Sequence, residues 1–146
     1  MEEITLSRVF DAPPELVYRA FVDPDQLCQW FGPEGFSVPY ESVQIDARPG
    51  GFQRLVMVSD SDPAMRSHVD VTLTQVVENE LLVGHQEIEE SPGSRLTLRL
   101  EFRQEADGET RLDLRQGPFT AERGEATKVG WESSFVKLDS LLRRSL

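Results

Sequence analysis

The feature that most limits how this chain can fold is the contrast between residues 36–116 and the segment that follows them. Over the first stretch there is no helical period. Apolar and β-branched runs are cut by turn signals at Pro49-Gly50-Gly51, Asp60 to Pro63, Glu78-Asn79-Glu80, Ser91-Pro92-Gly93 and Asp107-Gly108, a punctuation that predicts consecutive antiparallel strands. The clearest alternation sets Leu96, Leu98, Leu100 and Phe102 against Thr97, Arg99, Glu101 and Arg103, and continues with Leu112 and Leu114 against Arg111, Asp113 and Arg115. One face is therefore buried and the other charged. Keeping both leucine rows on the same face requires paired residue numbers with an even sum, hence an odd number of loop residues. A three-residue loop with Gly108 at positive φ satisfies that condition. Between Tyr40 and Val43 the alternation changes phase, which predicts a bulge or bend there.

After about Thr120 the period becomes helical and continues to Leu146. Trp131, Phe135, Leu138 and Leu142 fall on one helix face, whereas Lys128, Glu132, Lys137, Asp139 and Arg143 lie largely elsewhere, and Arg143-Arg144 suits the negative pole of the helix. Gly130 is out of place in a helix interior, where it predicts close packing or a kink. At the other end, Ile4, Leu6 and Phe10 alternate with Thr5 and Ser7 to give an opening strand, which Pro13-Pro14 ends. Val17, Ala20 and Phe21 then recur at helical spacing. Asp23-Pro24-Asp25-Gln26 supplies a capping-box-like start for a second short helix carrying Leu27, Trp30 and Phe31, stopped by Gly32-Pro33-Glu34-Gly35. The expected architecture is α+β, with a curved antiparallel sheet of six or seven strands around one long C-terminal helix.

Composition removes several classes of function. At 146 residues the chain matches a single domain, residues 1–146, with enough apolar content to build a core unaided. The net charge of −11 repels a phosphate backbone and anionic lipid alike, and no basic stripe interleaved with aromatics offsets it. The acidic Met1-Glu2-Glu3-Ile4 start has neither the basic residues nor the apolar run of a secretory signal, so a cytoplasmic location is expected. Cys28 stands alone and has no base near it in sequence; it reads as a small buried residue in a reducing compartment. Gly50-Gly51 is followed by no Lys-Ser/Thr, and neither a G-x-S-x-G elbow nor an H-E-x-x-H pair is present.

The motifs narrow the fold. In order, Arg8-Val9-Phe10-Asp11-Ala12-Pro13, Asp23-Pro24 with Trp30-Phe31-Gly32-Pro33, Asp46-Ala47-Arg48-Pro49-Gly50-Gly51, Gly108-Glu109-Thr110-Arg111-Leu112 and Gly130-Trp131 span nearly the whole sequence. With them the chain resembles the family named for the C-terminal domain of the activator of the ninety-kilodalton heat-shock chaperone's ATPase, within the SRPBCC group of START-like, or helix-grip, proteins. The resemblance implies a cavity between the C-terminal helix and the concave side of the sheet, roofed near the two short helices. Some START-like relatives hold lipids, hormones or polyketides there, and a few are cyclases or hydrolases. Where members often carry an aromatic residue, this chain has Gly84-His85-Gln86-Glu87, which implies a more polar cavity. The sequence also shows no counterpart of the extra N-terminal domain with which eukaryotic co-chaperones grip their chaperone.

The leading expectation is a non-enzymatic domain that binds a small, largely apolar molecule, as a monomer or weak homodimer, without cofactor or metal. Trp30, Phe31, Met57, His85, Phe102, Trp131 and Phe135 are the expected lining, although aromatics in these positions equally serve to fill a core. A protein-interaction module acting on a heat-shock chaperone through the acidic surface, in a stress response, is one alternative. Another is a cyclase or hydrolase using His68 or His85 as base. His68 and Asp70 share a strand face, as do His85 and Glu87; a hairpin between the two strands would bring all four together as metal ligands, but strand alternation without a tight motif is too common to support a metal site, and His68 and Asp70 read as an exposed polar row. Glu87, Glu89 and Glu90 read as a solvated acidic run.

Overall fold

The computed structural model describes residues 1–88 and 93–145. Glu89, Glu90 and the Ser91-Pro92 turn lie outside the described residues, as does Leu146. Strand β1 (Glu2–Phe10) leads into helices α1 (Pro14–Val22) and α2 (Pro24–Trp30). Strands β2 (Phe36–Ser37), β3 (Gln44–Asp46), β4 (Phe52–Ser59), β5 (Arg66–Val77), β6 (Leu81–Glu87), β7 (Arg95–Gln104) and β8 (Thr110–Phe119) follow, and helix α3 (Ala121–Ser145) closes the chain. All the strands join one antiparallel sheet in the order β1-β8-β7-β6-β5-β4-β2, with β3 also on β4. This is the helix-grip arrangement. The strand count reaches eight because the phase change after Tyr40 is a 3-10 turn at Tyr40–Ser42, which divides the segment into two short strands that both pair with β4.

Local chemistry accounts for the boundaries. Pro14 starts α1 and Pro24 starts α2, positions whose N–H groups lack helical partners in any case. The Asp23 carboxylate caps α2 by accepting from the Asp25 N–H at 2.9 Å. Thr120 does the same for α3, its hydroxyl accepting from the Arg123 N–H at 3.2 Å. In the β7–β8 hairpin, Leu100 pairs with Leu114 and Phe102 with Leu112. The Glu105 N–H then bonds the Glu109 carbonyl across Ala106-Asp107-Gly108, with Gly108 at φ +76°. The odd loop is thus observed.

The core lies between α3 and the concave face of the sheet. Trp131, Phe135, Leu138 and Leu142 are all buried, and α3 packs against β1, β8 and α2, while α1 lies against β7. Opposite them, Leu55, Leu82, Leu100, Phe102, Leu112 and Leu114 are at most 5% exposed. Arg8 also points to this side, because it pairs with Leu112 in the same row as Leu6 and Phe10. Its guanidinium is paired with Asp139 of α3, which offsets the cost of partial burial.

The two helical glycines have opposite reasons. A Cβ on Gly124 would meet Ile4 Cγ2 at 3.1 Å, so this glycine allows α3 to approach β1 closely. A Cβ on Gly130 would meet nothing within 4 Å, and close packing therefore does not explain it. Gly130→Ala is expected to raise stability by about 0.5–1 kcal/mol through helix propensity, read as a higher urea midpoint at unchanged m-value; a lower midpoint would show that α3 needs the glycine.

Candidate functional site

Trp30, Phe102, Trp131 and Phe135, four of the five aromatic rings expected to line a cavity, are buried in ring-to-ring contacts of the core. Trp30 is fully buried, with its indole N–H on the Ala20 carbonyl at 2.8 Å. It lies 4.7 Å from Phe21, 5.6 Å from Phe31 and 6.3 Å from Phe135 between ring centres. Phe135 adds Phe10 at 5.5 Å and Trp131 at 5.6 Å, and Trp131 meets Phe31 edge-on at 5.7 Å while donating to Gln116 Oε1 at 2.8 Å. Phe102 is enclosed between Tyr18 and Phe21. Such spacings are those of packed rings. Met57 sits on the concave side of β4, half-buried beneath Gly32. Farther along the concave face, a crevice lined by Val22, Ile45, Gln53, Leu73, Leu82 and Leu98 holds about 10 Å³, the space of one water.

His85 belongs to the other side of the sheet. It pairs with Thr72 and Thr97, while its neighbour Gly84 pairs with the inward Leu73 and Leu98, so alternation turns the imidazole to the convex face. His68 and Asp70 are exposed there too, with Asp70 held by Arg54 at 3.2 Å, and Glu87 is paired with Arg95 at 3.2 Å. Among the described residues no three His, Cys, Asp or Glu side chains converge as a metal site would need. Neither histidine faces the interior, which removes the cavity base that a cyclase or hydrolase reading requires.

The larger space is a groove of about 290 Å³ between α3 and the β2 edge of the sheet. Phe31 and Phe36 give it apolar walls, while Glu34, Ser37, Asp60 and Lys137 supply polar groups and Cys28 and Gln29 complete the rim on α2. Its shape follows from the turn after α2. Gly32 at φ +98° and Gly35 at φ +93° bend the chain into β2, and the Gly35 carbonyl accepts from the Asp60 N–H at 2.8 Å. Ser133 Oγ accepts from the Glu34 N–H at 2.8 Å, tying that turn to α3. The Lys137 ammonium donates to the carbonyls of Pro33 and Phe36 at 3.4 and 3.3 Å. Burial pulls the Lys137 pKa below its ordinary value, against the opposing pull of Asp60 and Glu34.

Cys28 is half-buried rather than enclosed, and its Sγ donates to the Asp25 carbonyl at 3.3 Å. Burial first, and the Asp25 charge second, hold its pKa above the ordinary thiol range. A raised pKa keeps the thiolate scarce, the reverse of what a nucleophile needs. Of the groove residues only Phe31 was foreseen. Glu34 and Ser37 belong to the segment that turns into β2, whereas Asp60 and Lys137 come from two distant segments, and no spacing in the sequence links the three.

The model of the family described as "Activator of Hsp90 ATPase homolog 1-like protein" matches residues 11–143. The chain belongs to this family. As an activator-homolog-1-like protein it shares its fold with a protein of Chromobacterium violaceum (28% identity, TM-score 0.83, 96% of each chain covered). It is similar as well to the AHSA1 protein of Silicibacter pomeroyi (26% identity, TM-score 0.80, covering 99% of this chain and 100% of the other). A protein of Nitrosomonas europaea matches at 22% identity and TM-score 0.81 over 98% and 95% of the two chains, a likeness of fold alone. No match to a curated protein reaches significance. The activator-homolog-1-like fold is one that supports ligand binding or protein interaction in general. Among the described residues no helix is long and apolar enough to cross a membrane.

Proposed function

We propose that this chain is a non-enzymatic binding domain that seats a small molecule in the groove between α3 and the β2 edge. The observation that carries this reading is the groove itself: its volume of about 290 Å³ falls just short of the roughly 300 Å³ at which small-ligand sites begin, and its mainly polar lining sets Glu34, Ser37, Asp60 and Lys137 beside Phe31 and Phe36. The ligand is more polar than the largely apolar guest suggested by sequence, since Lys137, Asp60 and Glu34 line the same space as Phe31 and Phe36. No nucleophile–base pair accompanies them, because the Cys28 thiol is bonded to its own helix and both histidines lie on the far side of the sheet.

Binding to the folded state alone raises the melting temperature. A ligand at a hundred times its Kd adds about 2.7 kcal/mol, or roughly 5–10 °C for a domain of this size. A thermal-shift screen of small amphiphilic metabolites is expected to give such hits. Gln29→Trp, at an exposed rim position, is expected to abolish them while leaving the unliganded melting temperature in place. Hits that survive Gln29→Trp, or a screen without hits, would remove the groove as the binding site.

A further inference from the structure

We infer that the groove selects a small organic cation, an amine on an apolar body, with its ammonium at Glu34 and Asp60 and its body against Phe31 and Phe36. This rests on the groove being the binding site. Three charged side chains line it, Lys137 against Glu34 and Asp60, for a local sum of −1. Lys137 forms no ion pair with either carboxylate among the described residues, and spends two of its N–H donors on the Pro33 and Phe36 carbonyls. Its charge is thereby held at the wall of the groove, within electrostatic reach of Asp60 and Glu34, and balances one of the two carboxylates, leaving one negative charge in excess. On the other side, Ser37 donates to only one Asp60 oxygen, at 2.5 Å, and the Glu34 side chain has no hydrogen-bond partner or ion pair among the described residues, although its backbone N–H is anchored to Ser133.

The groove therefore carries one negative charge in excess and two carboxylates with unfilled acceptor sites. An ammonium group donates to both and balances that charge. Aromatic walls add to the preference, since phenyl rings attract cations as well as apolar surface. The chain's net charge of −11 acts in the same direction by drawing cations toward the surface and repelling anions. An inorganic ion is the poorer fit: no cluster of three ligating side chains exists among the described residues, whereas the apolar walls have no role toward a bare ion. The third Lys137 N–H remains as a donor for a neutral acceptor on the ligand, such as a hydroxyl or carbonyl oxygen.

The test uses three probes that share one phenol body: tyramine as cation, tyrosine as zwitterion and 3-(4-hydroxyphenyl)propionate as anion. Titration calorimetry of the full chain at low salt is expected to rank them in that order, with tyramine at least tenfold tighter than the propionate. Glu34→Gln and Asp60→Asn are each expected to weaken tyramine three- to tenfold and to leave the propionate unchanged or improved. Glu34→Gln removes no hydrogen bond of the fold, so it separates recognition from folding. If the propionate binds as tightly as tyramine and Gln29→Trp abolishes both, the charge selection is wrong while the groove remains the site. If none of the three binds, or if tyramine binding survives Gln29→Trp, the groove reading falls together with the inference.

Discussion

Replacing Phe135 with alanine is expected to destabilise the fold by about 3–5 kcal/mol, the range for large aromatic truncations in packed cores. Phe135 is 1% exposed and touches Phe10, Trp30 and Trp131, so the truncation opens a void that three rings share and cannot easily close. For a domain of this size the melting temperature should fall by roughly 6–20 °C, a large part of the stability of an ordinary domain. The same change should leave groove affinity intact, because Phe135 does not line the groove. A cost below about 1.5 kcal/mol would mean that the ring borders empty space after all, and would return the interior to consideration as a ligand cavity.

Gly51→Ala should have a comparable effect for a different reason. A Cβ at this position would lie 1.9 Å from the Asp46 carbonyl oxygen and 2.9 Å from that of Arg48. Both obstacles are backbone, and the turn they belong to is itself fixed: the Gly51 N–H bonds the Arg48 carbonyl at 2.8 Å, and the Gly51 carbonyl accepts from Leu73 of β5 at 2.9 Å. The contact cannot be relieved by a rotamer change, so the turn joining β3 to β4 must shift, at about 3 kcal/mol or more. Gly50 is the internal control. Its φ of +85° strains any L residue, but nothing lies within 4 Å of its Cβ position, so Gly50→Ala should cost only about 1–2 kcal/mol. Equal urea midpoints for the two variants would show that backbone overlap is not the reason for Gly51.

How far the sequence could be read depends on whether each residue marks its own face. In β7 and β8 Leu96, Leu98, Leu100, Phe102, Leu112 and Leu114 mark the inward face against Thr97, Arg99, Glu101, Arg103, Arg111, Asp113 and Arg115, so the hairpin register and the parity of its loop follow from alternation, although Thr110 and Gln116 also face inward. In β6 the marks fail. Leu81, Leu82 and Val83 are all apolar, and the inward position beyond them is Gly84, which has no side chain to announce it. Alternation in β6 therefore does not reveal that His85 sits on the convex side. Arg8 fails in the reverse sense: a charged residue holds an inward position of β1 because Asp139, far along the chain, meets it there.

The sequence by itself determined the helices and the long strands, their order, the parity of the β7–β8 loop and the buried stripe of α3, since each depends on spacing within a few residues. Only the tertiary structure decided that Trp30, Trp131 and Phe135 pack against one another rather than around a guest, and that Glu34, Asp60 and Lys137 share a groove with Phe31 and Phe36. Periodicity specifies which way a side chain faces, whereas empty volume and the convergence of charges depend on how closely distant elements approach, and no local pattern carries that distance.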